Sequence, residues 1–321
     1  MKQDLYIGVD VGGTKILAEV VTEKGKILAR ARTSTPRKAR PQQTVKTIIQ
    51  VIEDALKENL IHTKAVKAIG IGIPGVVHPR TGVIKVTPNM NLSGINIVSP
   101  LKKRFNIPVA IGNDVDLGIL GEQWLGAARN YDNAIGIFIG TGIGGGIILD
   151  GKLVRGEHGA AGEIGHMIIQ PDGLDCGCGN KGCLETIAGR SGIERAIRRA
   201  VEHGKKTVVT KILDDDLKVI KSKVLRKALQ KKDKLVTSIM KKAFETFGYA
   251  CISIKHMYDP QVIVLGGGLM EACGDFILPM VTKVFASDKF LKNKAPCKIV
   301  VSQLEDDAVA LGAVALAKSC C

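Results

Sequence analysis

Two stretches of this chain share one local plan, and that plan constrains the fold more than any other feature. An apolar run over Leu5–Val11 meets the turn Gly12-Gly13-Thr14 and returns through Ile16–Val21. About 130 residues later, Ala134–Ile139 meets Gly140-Thr141-Gly142-Ile143-Gly144-Gly145-Gly146 and returns through Ile147–Leu149. Short apolar runs broken by glycine read as buried strands joined by tight turns. Their recurrence reads as a weak internal repeat, two domains of similar plan. The length of 321 residues agrees, since about 150 residues per domain is usual. Glycine supplies 37 residues, about 12% against a usual ~7%, so backbone turns carry much of the design. Aromatics are only 4%, and the cores must be aliphatic.

The remaining pattern alternates strands with helices. A polar tip at Glu23–Lys26 leads to a third strand, Ile27–Arg32. Apolar residues at Val45, Ile48, Ile49, Ile52, Ala55 and Leu56 predict an amphipathic helix over Gln42–Asn59. Strands follow at Val66–Ile73, closed by Pro74-Gly75, and at Val109–Gly112, running into Asn113-Asp114; a helix resumes over Asp116–Leu125. Residues 151–190 read as irregular and 191–259 as mostly helical. Val262–Leu265 ends in Gly266-Gly267-Gly268, a strand covers Lys298–Val301, and a helix from Ala308 to about Ala317 closes the chain. This is an α/β pattern. We expect a smaller domain of residues 1–112 plus 303–321 and a larger one of 113–302.

Formal net charge is +15, and 16 Lys/Arg against 5 Asp/Glu fall between Arg195 and Lys242. Charge so concentrated reads as solvated basic helix faces or as a docking surface for acidic partners. A nucleic-acid binder basic along its whole length would look different. No run approaches a membrane span and nothing resembles a secretion signal, so a soluble, cytoplasmic protein is expected. In that reducing compartment disulfides are not expected among the eight cysteines. The cluster Cys176, Cys178 and Cys183 favours a metal instead; Cys320-Cys321 read as exposed terminal thiols.

Asp10-Val11-Gly12-Gly13-Thr14-Lys15 places a carboxylate at a strand end, two glycines whose amides can approach an anion, then a hydroxyl and a cation. It suits a phosphate cradle with a magnesium partner, and also a plain hairpin turn. The lysine–serine tail of a P-loop is missing. The second glycine loop shifts the balance, because two such hairpins can hold a polyphosphate between them. Gly266-Gly267-Gly268 either lets a flat ring approach the backbone or makes a tight strand-to-helix turn. Asn113-Asp114 stands where strand ends line ligand crevices in α/β folds. There an Asp can take a proton from an attacking hydroxyl, and the same pair is an ordinary helix cap. Finally, Gly162-Glu163-Ile164-Gly165-His166 precedes a C-x-C-x4-C run. Three thiolates and one imidazole make a closed, structural zinc set of Cys176, Cys178, Cys183 and His166. His166 is preferred to His158 because Glu163 and Glu185 flank the same loop.

Together these motifs resemble the ROK family of bacterial sugar kinases, its glucokinases above all. The resemblance runs from Asp10 to about Gly312. Its most specific part pairs GEIGH (162–166) with CGCGNKGCLE (176–185); DVGGTK, GTGIGGG and VLGGG (264–268) match in order and spacing. It implies a two-domain actin-like ATPase fold (hexokinase-type, ribonuclease H-like) with an interdomain cleft. It also implies transfer of the γ-phosphoryl of ATP to a hexose with magnesium. Carried over, Asp114 is the general base, and Asn113, Glu163, His166 and Glu185 are sugar-hydroxyl ligands, His166 giving its other ring nitrogen to zinc. Asp10 helps place magnesium. Gly12, Gly13, Thr14, Lys15, Thr141, Gly142 and Gly144 hold phosphates, Gly267 and Gly268 lie against the nucleoside, and Gly75 and Asn89 lie near the sugar. Glucose is the expected hexose, with an N-acetylhexosamine (GlcNAc or ManNAc) as the alternative, and a homodimer is implied. The chain departs from the family at Asp116, where an Asn is usual, in lacking a Trp around Asn91–Ile95, and in its basic stretch near 204–234. ROK-like repressors carry a helix-turn-helix ahead of the first strand; with that strand at Leu5, none is expected here.

Overall fold

The computed structural model describes residues 3–36, 39–78, 80–87, 90–290 and 295–320. Strands β1 (Leu5–Val11), β2 (Lys15–Thr22) and β3 (Ile27–Ser34) precede helix α1 (Pro41–Glu58). Then come β4 (Val66–Ile73), the short β5 (Val76–Val77) and β6 (Ile84–Val86), α2 (Val98–Phe105), β7 (Val109–Asn113) and α3 (Asp114–Leu125). Next are β8 (Ala134–Ile139), β9 (Ile143–Leu149) and β10 (Lys152–Leu153), followed by α4 (Glu185–Ala188), α5 (Arg190–Glu202), α6 (Val208–Ile212), α7 (Ser222–Gln230) and α8 (Lys234–Tyr258). The chain closes with β11 (Val262–Gly266), α9 (Gly268–Phe285), β12 (Lys298–Val301) and α10 (Ala308–Lys318).

The strands form two five-stranded sheets, ordered β3-β2-β1-β4-β7 and β10-β9-β8-β11-β12. Numbered from its own first strand, each sheet has the order 3-2-1-4-5, so the internal repeat is one of topology. One expectation changes. Gly144, Gly145 and Gly146 lie inside β9 rather than in the turn before it. At Gly146 the reason is steric: a Cβ there would come within 2.7 Å of the Ile119 side chain and 3.1 Å of the Asp116 backbone.

The chain forms two compact units: Met1–Gly136 with Gly146–Gly162 and Gln303–Cys321, and Ile137–Gly145 with Glu163–Ser302. The first extends past the division expected after residue 112, because α3 and α10 pack backbone to backbone. A Cβ on Gly121 would sit 2.3 Å from the carbonyl oxygen of Ala308, and one on Gly312 1.7 Å from that of Leu117. Helices so close belong to one body. Buried Glu122 on α3 strengthens the join, accepting backbone N–H bonds from Ala127, Gln303 and Leu304 at 2.6, 3.0 and 2.9 Å.

Alternation along β1 explains the layering of this unit. Ile7, Val9 and Val11 belong to the core that also holds Val45, Ile48, Ile52 and Ala55 of α1. Each of these valines and isoleucines contributes about 1.5–3 kcal/mol on burial. On the other face Tyr6 packs with Leu311 and Val314 of α10. Gly8 also faces α10, and a Cβ there would lie 2.0 Å from the Ala310 carbonyl oxygen. Among the described residues no helix is long and apolar enough to cross a membrane.

Candidate functional site

In the first unit, β1, β4 and β7 run parallel, with Asp10 paired to Gly72 and Asn113 to Ile73. Their C-terminal ends therefore open on one edge, where α/β sheets bind ligands. Gly75, just beyond β4, has φ +101°, and a Cβ would lie 2.0 Å from the Val86 carbonyl oxygen, so only glycine fits. Its own carbonyl accepts from Asn113 Nδ2 at 2.9 Å. Asn113 Oδ1 accepts from the N–H groups of Val115 and Asp116 at 2.8 and 3.1 Å, which caps α3. Cap and site thus coincide: the bonds that start the helix also hold Asn113 and set Asp114 on the first turn. Asp114 Oδ1 accepts from Val115 N at 3.0 Å. Asp116, two residues further on, is buried.

Burial pushes the Asp10 carboxyl up to about 7, the neighbouring Asp114 charge adding to the shift, Lys15 opposing it and Asp306 adding again. A buried carboxylate beside a second acidic side chain is a setting that a divalent cation suits, and magnesium is commonly held by one or two carboxylates plus phosphates. The Lys15 ammonium lies 2.7 Å from Asp306. The turn itself is held by Gly12 N donating to Lys15 O at 2.9 Å and Thr35 Oγ1 donating to Gly12 O at 2.6 Å. Thr14 at its tip is exposed. Asn89 lies outside the described residues.

The second unit carries the candidate metal set. The donor atoms of His166, Cys176, Cys178 and Cys183 all lie within 4.8 Å of one another. Cys178 Sγ and Cys183 Sγ are 3.7 Å apart, as are Cys176 Sγ and His166 Nδ1. With zinc–sulfur bonds of about 2.3 Å, a tetrahedron has edges near 3.8 Å, and the two 3.7 Å separations match it. His158 is not part of this cluster. The imidazole turns Nδ1 toward the sulfurs and Nε2 toward Glu163 Oε2, 3.9 Å away. Burial raises the Glu163 carboxyl above its usual range, His166 opposing and Glu185 adding to the shift.

Glu185 connects this cluster to the second glycine loop. Its Oε1 lies 3.1 Å from Cys176 Sγ, and its Oε2 accepts from Ile143 N at 3.4 Å. A Cβ on Gly142 would stand 2.4 Å from that Oε2. Thr141 is exposed at the loop tip, and Gly144 is half-buried in β9. Gly267 has φ +87°, and a Cβ on it would lie 2.8 Å from the backbone of Ile139; Gly268, the first residue of α9, has nothing within 4 Å of that position. Open space over Gly268, where packing makes no demand for glycine, is what a planar ligand group lying on the backbone requires.

Residues that the sequence did not mark also belong here. Arg190 Nη2 donates to Thr141 Oγ1 at 2.8 Å, and Arg190 is paired with Glu194. Only its place at a helix start after a glycine could have drawn notice, and 49 positions separate it from Thr141.

A sequence pattern described as the ROK family matches residues 6–320. The glucokinase of Thermotoga maritima is 30% identical over 315 residues, which cover 97% of this chain and 96% of that protein. The xylose repressor of Caldicellulosiruptor bescii is 28% identical over 310 residues, 97% of this chain and 77% of that protein. Among solved structures, a ROK family glucokinase from Streptomyces griseus in complex with glucose and AMPPNP is similar with a TM-score of 0.84. Its identity is 30%, over 98% of this chain and 99% of that one. The α/β fold is accordingly the actin-like ATPase fold.

Proposed function

The chain belongs to the ROK family, and from that premise we propose that it is an ATP-dependent hexokinase-type phosphotransferase converting glucose to glucose 6-phosphate. The observation that carries the reading is the sheet edge on which Asn113 is clamped to Gly75 and Asp114 stands beside an Asp10 of raised proton affinity. The relatives named glucokinase support the choice of sugar.

Phosphoryl transfer needs alignment and charge neutralisation more than covalent help. Asp114 takes the proton from the attacking 6-hydroxyl as its oxygen bonds to the γ-phosphorus and the bond to the bridging oxygen of ATP breaks, releasing ADP. Asn113, Glu163, Glu185 and the Nε2 side of His166 bind sugar hydroxyls, with Gly75 setting the position of Asn113. The turns at Gly12, Gly13, Thr14 and Lys15 and at Thr141, Gly142 and Gly144 receive phosphates through amides, hydroxyls and one ammonium. Gly267 and Gly268 lie against the nucleoside. Magnesium, when bound with the nucleotide, offsets phosphate charge, and Asp10 is the residue that would hold it. His166, Cys176, Cys178 and Cys183 would hold a structural zinc, which leaves no ligand position open and fixes the imidazole plane. We place the protein in the cytoplasm as a homodimer, a state that light scattering reads directly.

A coupled assay for ADP release, run with glucose, mannose, fructose, GlcNAc and ManNAc, tests the proposal. The highest kcat/KM is expected with glucose. An N-acetylhexosamine at the top would move the substrate and keep the chemistry. Absence of turnover with every sugar would remove the kinase reading and leave a sugar-responsive regulator.

A further inference from the structure

The second glycine loop is built against the start of α5. Gly189 lets the helix begin there: a Cβ on it would lie 2.6 Å from Glu185 O and 3.3 Å from Thr141 O. Arg190 N then donates to Gly140 O at 3.1 Å and Ser191 N to Thr141 O at 3.0 Å. These bonds fix the path of the loop and leave the direction of the Thr141 hydroxyl open.

The Arg190 side chain settles that direction. Its Nη2 donates to Thr141 Oγ1 at 2.8 Å, while its Nη1 is paired with Glu194 and reaches Ile220 O at 3.4 Å. The Glu194 carboxylate is 8% exposed and also takes Arg198 Nη1 at 3.4 Å. Arg198 Nη1 donates to Leu217 O at 3.0 Å, which ties this network to the chain segment ahead of α7. One buried carboxylate therefore stands between two guanidiniums, and the three groups together keep an excess positive charge beside the loop.

A guanidinium has donors and no acceptor, whereas a threonine hydroxyl has one proton and two lone pairs. Thr141 Oγ1 must be the acceptor toward Arg190, so its own proton is free to point elsewhere. Thr141 is exposed, so the remaining direction faces solvent. We propose that Arg190 is a positioning residue for nucleotide phosphate: anchored by Glu194, it holds the Thr141 hydroxyl with its proton outward as a donor to a phosphate oxygen. The inference deepens the kinase reading of this loop and rests on it. Because Arg190 acts through Thr141, the two residues form one unit.

A double-mutant cycle on the full-length protein with magnesium and ATP tests this, reading KM for ATP, KM for sugar, kcat and direct binding of AMPPNP by calorimetry. Arg190→Gln and Thr141→Val should each weaken AMPPNP binding and raise KM for ATP by about 10-fold, the scale of one charge-assisted hydrogen bond. KM for sugar should stay within about 2-fold, since neither Arg190 nor Thr141 is among the residues proposed to bind sugar. The double variant should be no worse than either single one, as expected of groups acting together. Thr141→Ser, which keeps the hydroxyl, should recover most of the AMPPNP binding that Thr141→Val loses, and Arg190→Lys should fall between parent and Gln. Multiplying effects in the double variant would overturn the proposal by making Arg190 an independent phosphate contact. Unchanged nucleotide binding in Arg190→Gln alongside a lowered Tm would overturn it in favour of a purely structural role. If the parent binds AMPPNP and phosphorylates sugar, these failures concern Arg190 alone; if the parent binds no nucleotide, the kinase reading falls and this inference with it.

Discussion

The two glycine turns stand on sheets of the same strand order, yet they are braced by different means. The first, at Gly12–Thr14, is held by hydrogen bonds from its own hairpin and from Thr35, and it borders carboxylates that repel one another. The second, at Gly140–Gly142, is held from outside: Glu185 meets Ile143 N, Arg190 meets Thr141, and Glu185 in turn touches the Cys176 sulfur. Topology therefore repeats while chemistry does not. The first turn borders carboxylates whose charges oppose each other. The second turn is tied by Glu185 to the Cys176 of a candidate metal cluster.

That contrast breaks most sharply under zinc removal. Chelation, or Cys178→Ser, should release about one zinc per chain and strip the 163–185 region of protection in hydrogen exchange. Structural zinc sites contribute on the order of 10 kcal/mol to local folding. Exchange in β1, β4 and β7 should change little. If both units lost protection equally, the metal would not be confined to bracing the second. Next in size is Asp114→Asn, for which kcat should fall at least ~10²-fold while glucose affinity measured by calorimetry is kept. Near-normal turnover would remove the base assignment.

A smaller effect separates packing glycines from ligand glycines. Gly268→Ala puts a methyl group into open space, so Tm should hold while AMPPNP affinity drops by about 10-fold, the cost of displacing one close contact. Loss of Tm instead would assign Gly268 to the fold. The smallest expected effect tests the tension in the first unit by pH. Burial, then the Asp307 charge, pushes the Glu19 carboxyl from 4.5 to about 8, with Arg30 opposing. The folded protein holds this proton more tightly than the unfolded chain, so the contribution of Glu19 to stability is greatest below pH 4.5 and declines as pH rises to about 8. Glu19→Gln should flatten that slope and raise Tm at pH 8 by about 3 °C, roughly 1 kcal/mol for a domain of this size. An unchanged slope in melting experiments from pH 5 to 8 would show that the ionised Arg30–Glu19–Asp307 arrangement costs nothing.

Much of the local structure around both glycine turns was legible in the residues alone. The strands at Val66–Ile73, Ala134–Ile139 and Lys298–Val301 have the bounds that apolar runs and glycine breaks indicated. The side chains of His166, Cys176, Cys178 and Cys183, expected to form a metal set, come together in the fold. These features are local: strand length, turn position and chelate spacing are set by neighbours a few residues away, and short-range sterics act on them before the chain is folded. The tertiary structure alone decided the rest. Glu122 finds Gln303 across 181 positions, and Arg190 finds Thr141 across 49. Gly144–Gly146 extend a strand where the pattern suggested a turn, and Gly146 does so because α3 packs over it. Such pairings carry no periodic or compositional signal, since a carboxylate or guanidinium reads alike in sequence whether it meets solvent or a buried amide. Which of these it meets is settled only when packing removes the water around it.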